Sequence, residues 1–138
     1  MTSEKLLEVR FQSKPERLCL VRSLVKSAAT NSGCSGELCE KLVIALNEAC
    51  MNVIQHAYKG DESGEIVLEI LNNGSELLFR LKDHAAPIDL DSVKPRNLDE
   101  IRPGGLGVHF IREIMDECRM GHLEKGTGNF LEMTKRID

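Results

Sequence analysis

The chain has 138 residues, the length of a single domain with a sizeable hydrophobic core. It carries 18 basic and 22 acidic residues, and the resulting net charge of −4 argues against direct binding to nucleic acid. No apolar run reaches membrane-spanning length and no secretory signal pattern opens the sequence, so we expect a cytoplasmic protein without membrane contact. The five cysteines include Cys34 and Cys39 but no second close pair for zinc, which predicts reduced and mostly buried thiols.

The first part of the chain predicts one strand and two helices. Leu7, Val9 and Phe11 alternate with polar residues, a pattern typical of a strand. The segment Ser13-Lys14-Pro15-Glu16 combines a capping box with proline at the first helical position, and this first helix should end at Asn31-Ser32-Gly33. A long second helix is predicted from about Gly36 to Tyr58. Its apolar stripe repeats at helical spacing: Leu38, Leu42, Ala45, Ala49 and Val53.

The remainder predicts two hairpins separated by a lid and a third helix. Asn72-Asn73-Gly74 is a strong turn signal between strands at about Glu65 to Leu71 and Glu76 to Asp83. Ile88 to Pro103 has little periodicity, which is typical of a mobile lid over a ligand. A helix from about Gly107 to Glu117 and two strands joined near Lys125-Gly126 complete the chain. The predicted fold is an α+β two-layer sandwich, with helices on one face of a mainly antiparallel mixed sheet.

Glu48, Asn52 and His56 form a polar row on the long helix, because residues four apart lie on one helix face. The row borders the apolar stripe, so its side chains need partners. Asn52 offers a hard oxygen of the kind that Mg²⁺ accepts together with phosphate oxygens and water. Glu48, one turn away, is suited to deprotonate a nucleophile that attacks a phosphate. An isolated row of this kind is more often a solvated helix face, so the interpretation depends on downstream motifs.

Two downstream motifs strengthen the interpretation. Asp83 stands at the end of a predicted strand and is followed by His84-Ala85-Ala86-Pro87. The segment Gly104-Gly105-Leu106-Gly107-Val108 opens an apolar-periodic helix, where exposed amides and the helix dipole favour phosphate. Each motif alone is more simply a turn or a glycine-rich helix start. Their order and spacing together with the polar row indicate a nucleotide site.

In this order the motifs resemble those of the Bergerat-fold ATPases, the GHKL superfamily of DNA gyrase, sensor histidine kinases and MutL. The chain resembles in particular the small anti-sigma-factor serine kinases of bacterial partner-switching systems. Residues 48–58 match the first box, E-A-x-x-N-x-x-x-H-A-Y, almost letter for letter. Asp83 matches the aspartate that accepts from the adenine amino group, and Gly105-Leu106-Gly107 matches the G-x-G after the lid. Gly126-Thr127-Gly128-Asn129 resembles the closing strand whose Thr or Asn lies beneath adenine.

The resemblance implies a site for ATP and Mg²⁺, with Glu48 as the catalytic base and Asn52 as the metal ligand. The implied nucleotide-binding residues are Asn52, His56, Asp83, Ala85, Pro87, Gly104, Gly105, Leu106, Gly107, Val108 and Asn129. One position departs from the family's D-x-G-x-P pattern, because Ala85 replaces the glycine. If that position requires positive φ, alanine should cost on the order of 1 kcal/mol, equivalent to a loss of up to about tenfold in ATP affinity.

The implied function is a protein serine/threonine kinase that phosphorylates an anti-anti-sigma (STAS-domain) partner and sequesters a sigma factor, working as a homodimer. The alternative is a nucleotide-dependent sequestering module with weak or no kinase activity, a reading that Ala85 keeps open. The catalytic half of a histidine kinase is less favoured, because we expect no preceding helical hairpin with a phospho-accepting histidine. Gyrase- and MutL-type ATPases would need a further transducer domain.

Overall fold

The computed structural model describes residues 4–87 and 111–137. Its main elements are β1 (Glu4–Gln12), α1 (Leu18–Asn31), α2 (Gly36–Asn52), β2 (Glu65–Asn72), β3 (Glu76–Asp83), β4 (Glu117–His122) and β5 (Asn129–Arg136). Three short turns of helix accompany them: a 3₁₀ turn at Pro15–Arg17, a π turn at Val53–Ala57 that continues α2, and a 3₁₀ turn at Glu124–Gly126. Residues 111–114 are also helical.

The five strands form one sheet in the order β1-β2-β3-β5-β4. Every pairing among these described strands is antiparallel, so this part of the chain contains no parallel pair. The α+β class with an antiparallel sheet is therefore confirmed. The strand β5 lies between β3 and β4, which joins the C-terminal hairpin to the N-terminal part of the sheet.

One face of the sheet packs against the helices and forms the core. The register aligns Ile70, Phe79 and Met133 across three strands, and all three are fully buried. Leu42 and Ala49 on α2 belong to the same buried cluster, as the apolar stripe predicted. Burying a side chain as large as Leu42 contributes about 1.5–3 kcal/mol to stability, so this cluster holds α2 against the sheet.

The opposite face of the sheet carries an ion-pair ladder that crosses four of its strands. We use this name for Lys82, Glu69, Arg80, Glu132 and Arg119. Glu69 is only 3% exposed and lies 2.7 Å from Lys82 Nζ, and Arg80 and Arg119 lie 2.8 and 3.1 Å from Glu132. Burial alone would raise the pKa of Glu69, but bonds from Lys82 and from Lys5 hold it below its ordinary value. The ladder explains how a charged residue is tolerated in the middle of β2.

The predicted capping box at Ser13 is wrong. The Ser13 side chain is fully buried, and its hydroxyl donates to the Asp61 carbonyl oxygen at 2.5 Å and accepts from the Gly64 amide at 3.1 Å. Lys14 precedes the first helical turn and caps nothing with its side chain, although Pro15 does take the first helical position. The Ser13 hydroxyl therefore bonds to a residue 48 positions later in the chain and does not cap the adjacent helical turn.

Several predicted boundaries hold and one does not. The helix α1 ends at Asn31, and Gly33 follows with φ +92°, as predicted. The third helix was predicted to reach Glu117, but its described turns end at residue 114 and Glu117 already begins β4. The Asp116 amide donates to the Thr134 carbonyl oxygen at 2.9 Å, so pairing with β5 ends the helix. The predicted lid, Ile88 to Pro103, lies outside the described residues.

All five cysteines are free. Cys39 and Cys50 are buried, and burial raises the pKa of Cys50 to about 12. The prediction that most are buried is wrong, because Cys19 is exposed and Cys34 and Cys118 are only half-buried. No helix within residues 4–87 and 111–137 has both the length and the apolar character needed to cross a bilayer.

Candidate nucleotide-binding site

The helix α2 brings Glu48 and Asn52 to one face, one turn apart. The helix starts at a true cap, since the Ser35 hydroxyl oxygen accepts from the Leu38 amide at 3.1 Å. Asn52 is 9% exposed, and its buried Nδ2 finds no acceptor among the described residues. The half-buried Glu48 carboxylate likewise makes no hydrogen bond or ion pair within the described part of the chain.

An orphaned buried amide is unusual, because leaving such a donor unpaired costs about 1–3 kcal/mol. Asn52 therefore stands where a ligand oxygen would supply the missing acceptor. The adjacent Glu48 carboxylate has no basic partner in the described residues, so it can receive a proton from an incoming group. This is the arrangement expected for a phosphate and its attacking nucleophile.

The polar row does not continue regularly to His56. After Asn52 the backbone widens into the π turn, in which the Tyr58 amide donates to the Val53 carbonyl oxygen, five residues back, at 3.0 Å. The wider turn rotates the following side chains away from α-helical positions, and His56 is exposed. Turns of this type occur often at functional sites, but the spacing of residues alone cannot reveal them.

Asp83 ends β3 and is only 4% exposed. Its Oδ1 accepts from Asn129 Nδ2 at 2.9 Å and from the Ala85 amide at 3.0 Å. Burial raises the pKa of the Asp83 carboxyl, although the bonds from Asn129 and Ala85 act in the opposite direction. A carboxyl group kept in a desolvated position at a strand end is a candidate for ligand recognition.

Two residues of the Gly126-to-Asn129 motif, Gly128 and Asn129, lie directly against Asp83. Asn129, the first residue of β5, lies opposite Asp83 in the register, is 2% exposed, and also donates to the Ala86 carbonyl oxygen at 3.1 Å. Gly128 has no room for a side chain, because a Cβ there would collide with the Asp83 carbonyl oxygen. The glycine thus permits the close approach that lets Asn129 orient the carboxylate. Thr127 turns away and donates to Glu124.

Ala85 does not carry the backbone strain that the departure from the family pattern suggested. Within the described ranges, Lys59 is the one non-glycine residue with positive φ, at 51°. The φ of Ala85 is therefore in a region open to every residue, and the argument for a tenfold loss of affinity is wrong on this point. Pro87, two residues on, is exposed and lies beside Gly126.

The predicted phosphate loop, Gly104, Gly105, Leu106, Gly107 and Val108, lies outside the described residues. The described part of the site consists of two groups: Glu48 and Asn52 on α2, and Asp83 with Asn129 at the junction of β3 and β5.

Sequence reasoning missed one residue that contacts the site's framework. The Tyr58 hydroxyl donates to the Glu65 carbonyl oxygen at 2.5 Å and accepts from the His84 amide at 2.8 Å. The available signal was its position as the last letter of the first box.

Comparison with known proteins decides the family. The profile of the histidine kinase-like ATPase domain matches residues 11–135. The chain belongs to this family. The serine-protein kinase RsbW of Listeria monocytogenes is 34% identical to it, over 99% of this chain and 90% of the relative. RsbW of Bacillus subtilis is 28% identical, over 96% of this chain and 86% of that protein. The family predicted from the sequence is confirmed.

Solved structures show the same fold. The RsbU and RsbW domains of Rv1364c from Mycobacterium tuberculosis match with a TM-score of 0.68 and 17% identity, over 99% of this chain and 32% of that longer chain. The SiaB–SiaC complex from Pseudomonas aeruginosa contains a chain that matches with a TM-score of 0.67 and 14% identity, over 96% of this chain and 89% of that one. The predicted Bergerat-type fold is confirmed.

Proposed function

We propose that this protein is an ATP-dependent serine/threonine protein kinase of a bacterial partner-switching system. One observation carries the proposal. On α2, one turn apart, lie a Glu48 carboxylate without a partner and an Asn52 amide without an acceptor among the described residues. The relatives that match nearly the whole chain are named serine-protein kinases, which is the enzyme class predicted from the sequence.

In this function each group of the site has a separate role. Asp83, oriented by Asn129, accepts a hydrogen bond from the adenine amino group. Asn52 would hold Mg²⁺ through Oδ1, and a bound Mg²⁺ would neutralise charge on the phosphates. Glu48 takes the proton of the target hydroxyl while the oxygen of that hydroxyl forms a bond to the γ-phosphorus of ATP. The bond between the γ-phosphorus and the oxygen that bridges it to the β-phosphate breaks, and ADP is released. His56, Ala85, Pro87 and residues 104–108 complete the proposed nucleotide site.

The proposed partner is an anti-anti-sigma protein with a STAS domain, whose serine or threonine hydroxyl receives the phosphate. We further propose that a sigma factor is the second client. The unphosphorylated partner competes with the sigma factor for this kinase, so phosphorylation of the partner frees the kinase to sequester the sigma factor as an anti-sigma factor. A homodimer in the cytoplasm is proposed with it, and the free thiols agree with a reducing compartment.

The alternative of a sequestering module with weak or no kinase activity depended on Ala85. Because Ala85 does not have positive φ, backbone strain no longer favours that alternative, and its remaining support is the methyl group that Ala85 adds at this position.

A labelling experiment tests the proposal. Purified protein is incubated with Mg²⁺, γ-labelled ATP and a STAS-domain partner, and transfer to the partner is followed over time. The variant Glu48→Gln keeps the side chain's shape but cannot take the proton, so transfer should fall by about 10²–10⁴-fold while nucleotide still binds.

The matched control is Glu40→Gln, which makes the same change at an exposed position of α2 two turns earlier. It should label the partner at the wild-type rate. Full activity in Glu48→Gln would remove Glu48 from the chemistry, and absence of any labelling by the wild type would favour the sequestering module.

A further inference from the structure

The Tyr58 hydroxyl joins three segments of the chain at one point. Tyr58 follows the π turn that extends α2, Glu65 begins β2, and His84 follows the end of β3. The hydroxyl bonds to the backbone of the last two, at 2.5 Å to the Glu65 carbonyl oxygen and 2.8 Å to the His84 amide. It therefore fixes the end of the helix that carries Glu48 relative to the strand end that carries Asp83.

The hydroxyl occupies a position in the strand ladder. The β2–β3 register places Ile66 opposite Asp83, and the next pair would be Glu65 opposite His84. The two backbone groups that this pair would offer, the Glu65 carbonyl and the His84 amide, instead bind the two sides of one hydroxyl. The side chain thus holds the strands apart at the residue after Asp83.

The local backbone is shaped to place Tyr58 there. Lys59 and Gly60 both have positive φ, 51° and 85°, so the chain reverses directly after Tyr58. The ring lies against Gly64, where any Cβ would collide with it. Burial raises the pKa of the Tyr58 hydroxyl, so at neutral pH it keeps the proton that it donates to Glu65.

We propose that Tyr58 is a positioning residue for nucleobase recognition, which sets where the Asp83 carboxylate stands relative to the base. The proposal rests on the proposed function, in which Asp83 reads the adenine amino group. Without the hydroxyl, the strands can close by one more pair or the His84 amide can turn to water. Either change moves the backbone at residues 84 and 85, and the Ala85 amide is one of the two donors that hold Asp83 Oδ1.

The test compares two nucleotides in the variant Tyr58→Phe, which keeps the ring against Gly64 and removes only the oxygen. Calorimetry measures the dissociation constants of Mg·ADP and Mg·IDP, since inosine carries a carbonyl oxygen where adenine carries the amino group. We expect ADP affinity to fall about 3- to 30-fold, the effect of one or two neutral hydrogen bonds. IDP affinity should change little, so the preference for ADP should fall by the same factor.

Ser13→Ala is the matched control. The Ser13 hydroxyl also donates to one backbone carbonyl, of Asp61, and accepts from one backbone amide, of Gly64, but it does not contact residue 84. Its loss should lower the melting temperature and leave the ADP-to-IDP preference unchanged. In the nucleotide-free proteins, hydrogen exchange of the His84 amide followed by NMR should accelerate in Tyr58→Phe and not in Ser13→Ala.

Asp83→Asn separates the two ways in which the idea can fail. If Asp83→Asn lowers the ADP-to-IDP preference and Tyr58→Phe does not, the positioning role of Tyr58 is wrong. If neither variant lowers it, the proposed nucleotide site itself is wrong. If Tyr58→Phe does not fold, hydrogen exchange of the His84 amide is measured in the wild type. Saturating ADP should then protect this amide more than saturating IDP does. Equal protection by the two nucleotides would overturn the role of Tyr58.

Discussion

Replacing Asp83 by asparagine removes the negative charge and one acceptor oxygen that the proposed site offers to adenine. The substitution keeps the size of the side chain, and its remaining oxygen can still accept from Asn129 Nδ2 and the Ala85 amide, which now bond at 2.9 and 3.0 Å. The new NH₂ group then takes the place of the second carboxylate oxygen. A hydrogen-bond donor would therefore meet the amino group of adenine, itself a donor.

The size of the effect follows from the burial of Asp83, which is 4% exposed. A hydrogen bond to a charged group contributes about 1.5–3 kcal/mol, and the unpaired donor left behind adds to the loss. At 1.4 kcal/mol for each tenfold change, Asp83→Asn should weaken Mg·ADP binding by roughly 10- to 100-fold.

The same variant should be more stable without nucleotide. Because burial raises the pKa of Asp83, the ionised carboxyl destabilises the folded protein at neutral pH. The stability that its protonation contributes is complete below the ordinary value of 3.8 and is lost as the pH rises through the folded-state pKa. Asparagine does not ionise, so the stability advantage of Asp83→Asn should be largest near pH 7 and shrink as the pH falls toward 4.

Titration calorimetry with Mg·ADP and thermal unfolding between pH 4 and pH 7 measure both effects. Asp116→Asn is the control, because Asp116 pairs with Lys135 and the Arg136 amide near the far end of β5, roughly 20 Å away. It should leave the affinity unchanged. Unchanged ADP affinity in Asp83→Asn would refute the assignment of Asp83 to the nucleotide site, and a less stable variant at neutral pH would refute the argument from burial.

Two further substitutions test the other parts of the site. Asn52→Ala removes the oxygen proposed to hold Mg²⁺, so it should weaken Mg-dependent binding of ADP in calorimetry. It should cost little stability, because the Asn52 Nδ2 that is also lost has no acceptor in the described part of the chain. Asn47→Ala removes the acceptor of a bond from Arg22, so it should lower stability and leave Mg-dependent binding of ADP unchanged. Equal ADP affinity with and without Mg²⁺ in the wild type would exclude Asn52 as a metal ligand. Ala85→Gly relieves no strain, so it should lower stability by a few tenths to about 1 kcal/mol in thermal unfolding and leave Mg·ADP affinity within about twofold. Tenfold tighter binding would show that the methyl group intrudes on the base.

Local patterns predicted most of the elements because their causes are local. The alternation at Leu7, Val9 and Phe11 follows from a strand with one half-buried face. The sequence at residues 72–74 supplies its own turn bonds, such as the Gly74 amide to Asn72 Oδ1 at 2.7 Å. Helical spacing likewise placed Glu48 and Asn52 one turn apart.

What the sequence could not predict depends on contacts between distant segments. Ser13 has every local feature of a cap, yet a turn 48 residues away takes its hydroxyl. The bridging role of Tyr58 arises only when the end of α2 and the β2–β3 hairpin are packed together. Glu69 gives no sign in the sequence that it is buried, because its neighbours in the ion-pair ladder come from other strands.

The junction of β3 and β5 has a consequence for the lifetime of the folded protein. The hairpins β2–β3 and β4–β5 each pair segments that are near in sequence, whereas the bond from Asn129 to Asp83 closes a span of 46 residues, which costs more chain entropy. Among the described strands the C-terminal hairpin is bonded to the rest of the sheet through β3 alone, so it can be released as a unit. A nucleotide held by Asp83 would bind only while the hairpin is attached, and would suppress its release in proportion to nucleotide concentration. Nucleotide should therefore slow cleavage within the C-terminal hairpin when the purified protein is treated with a protease.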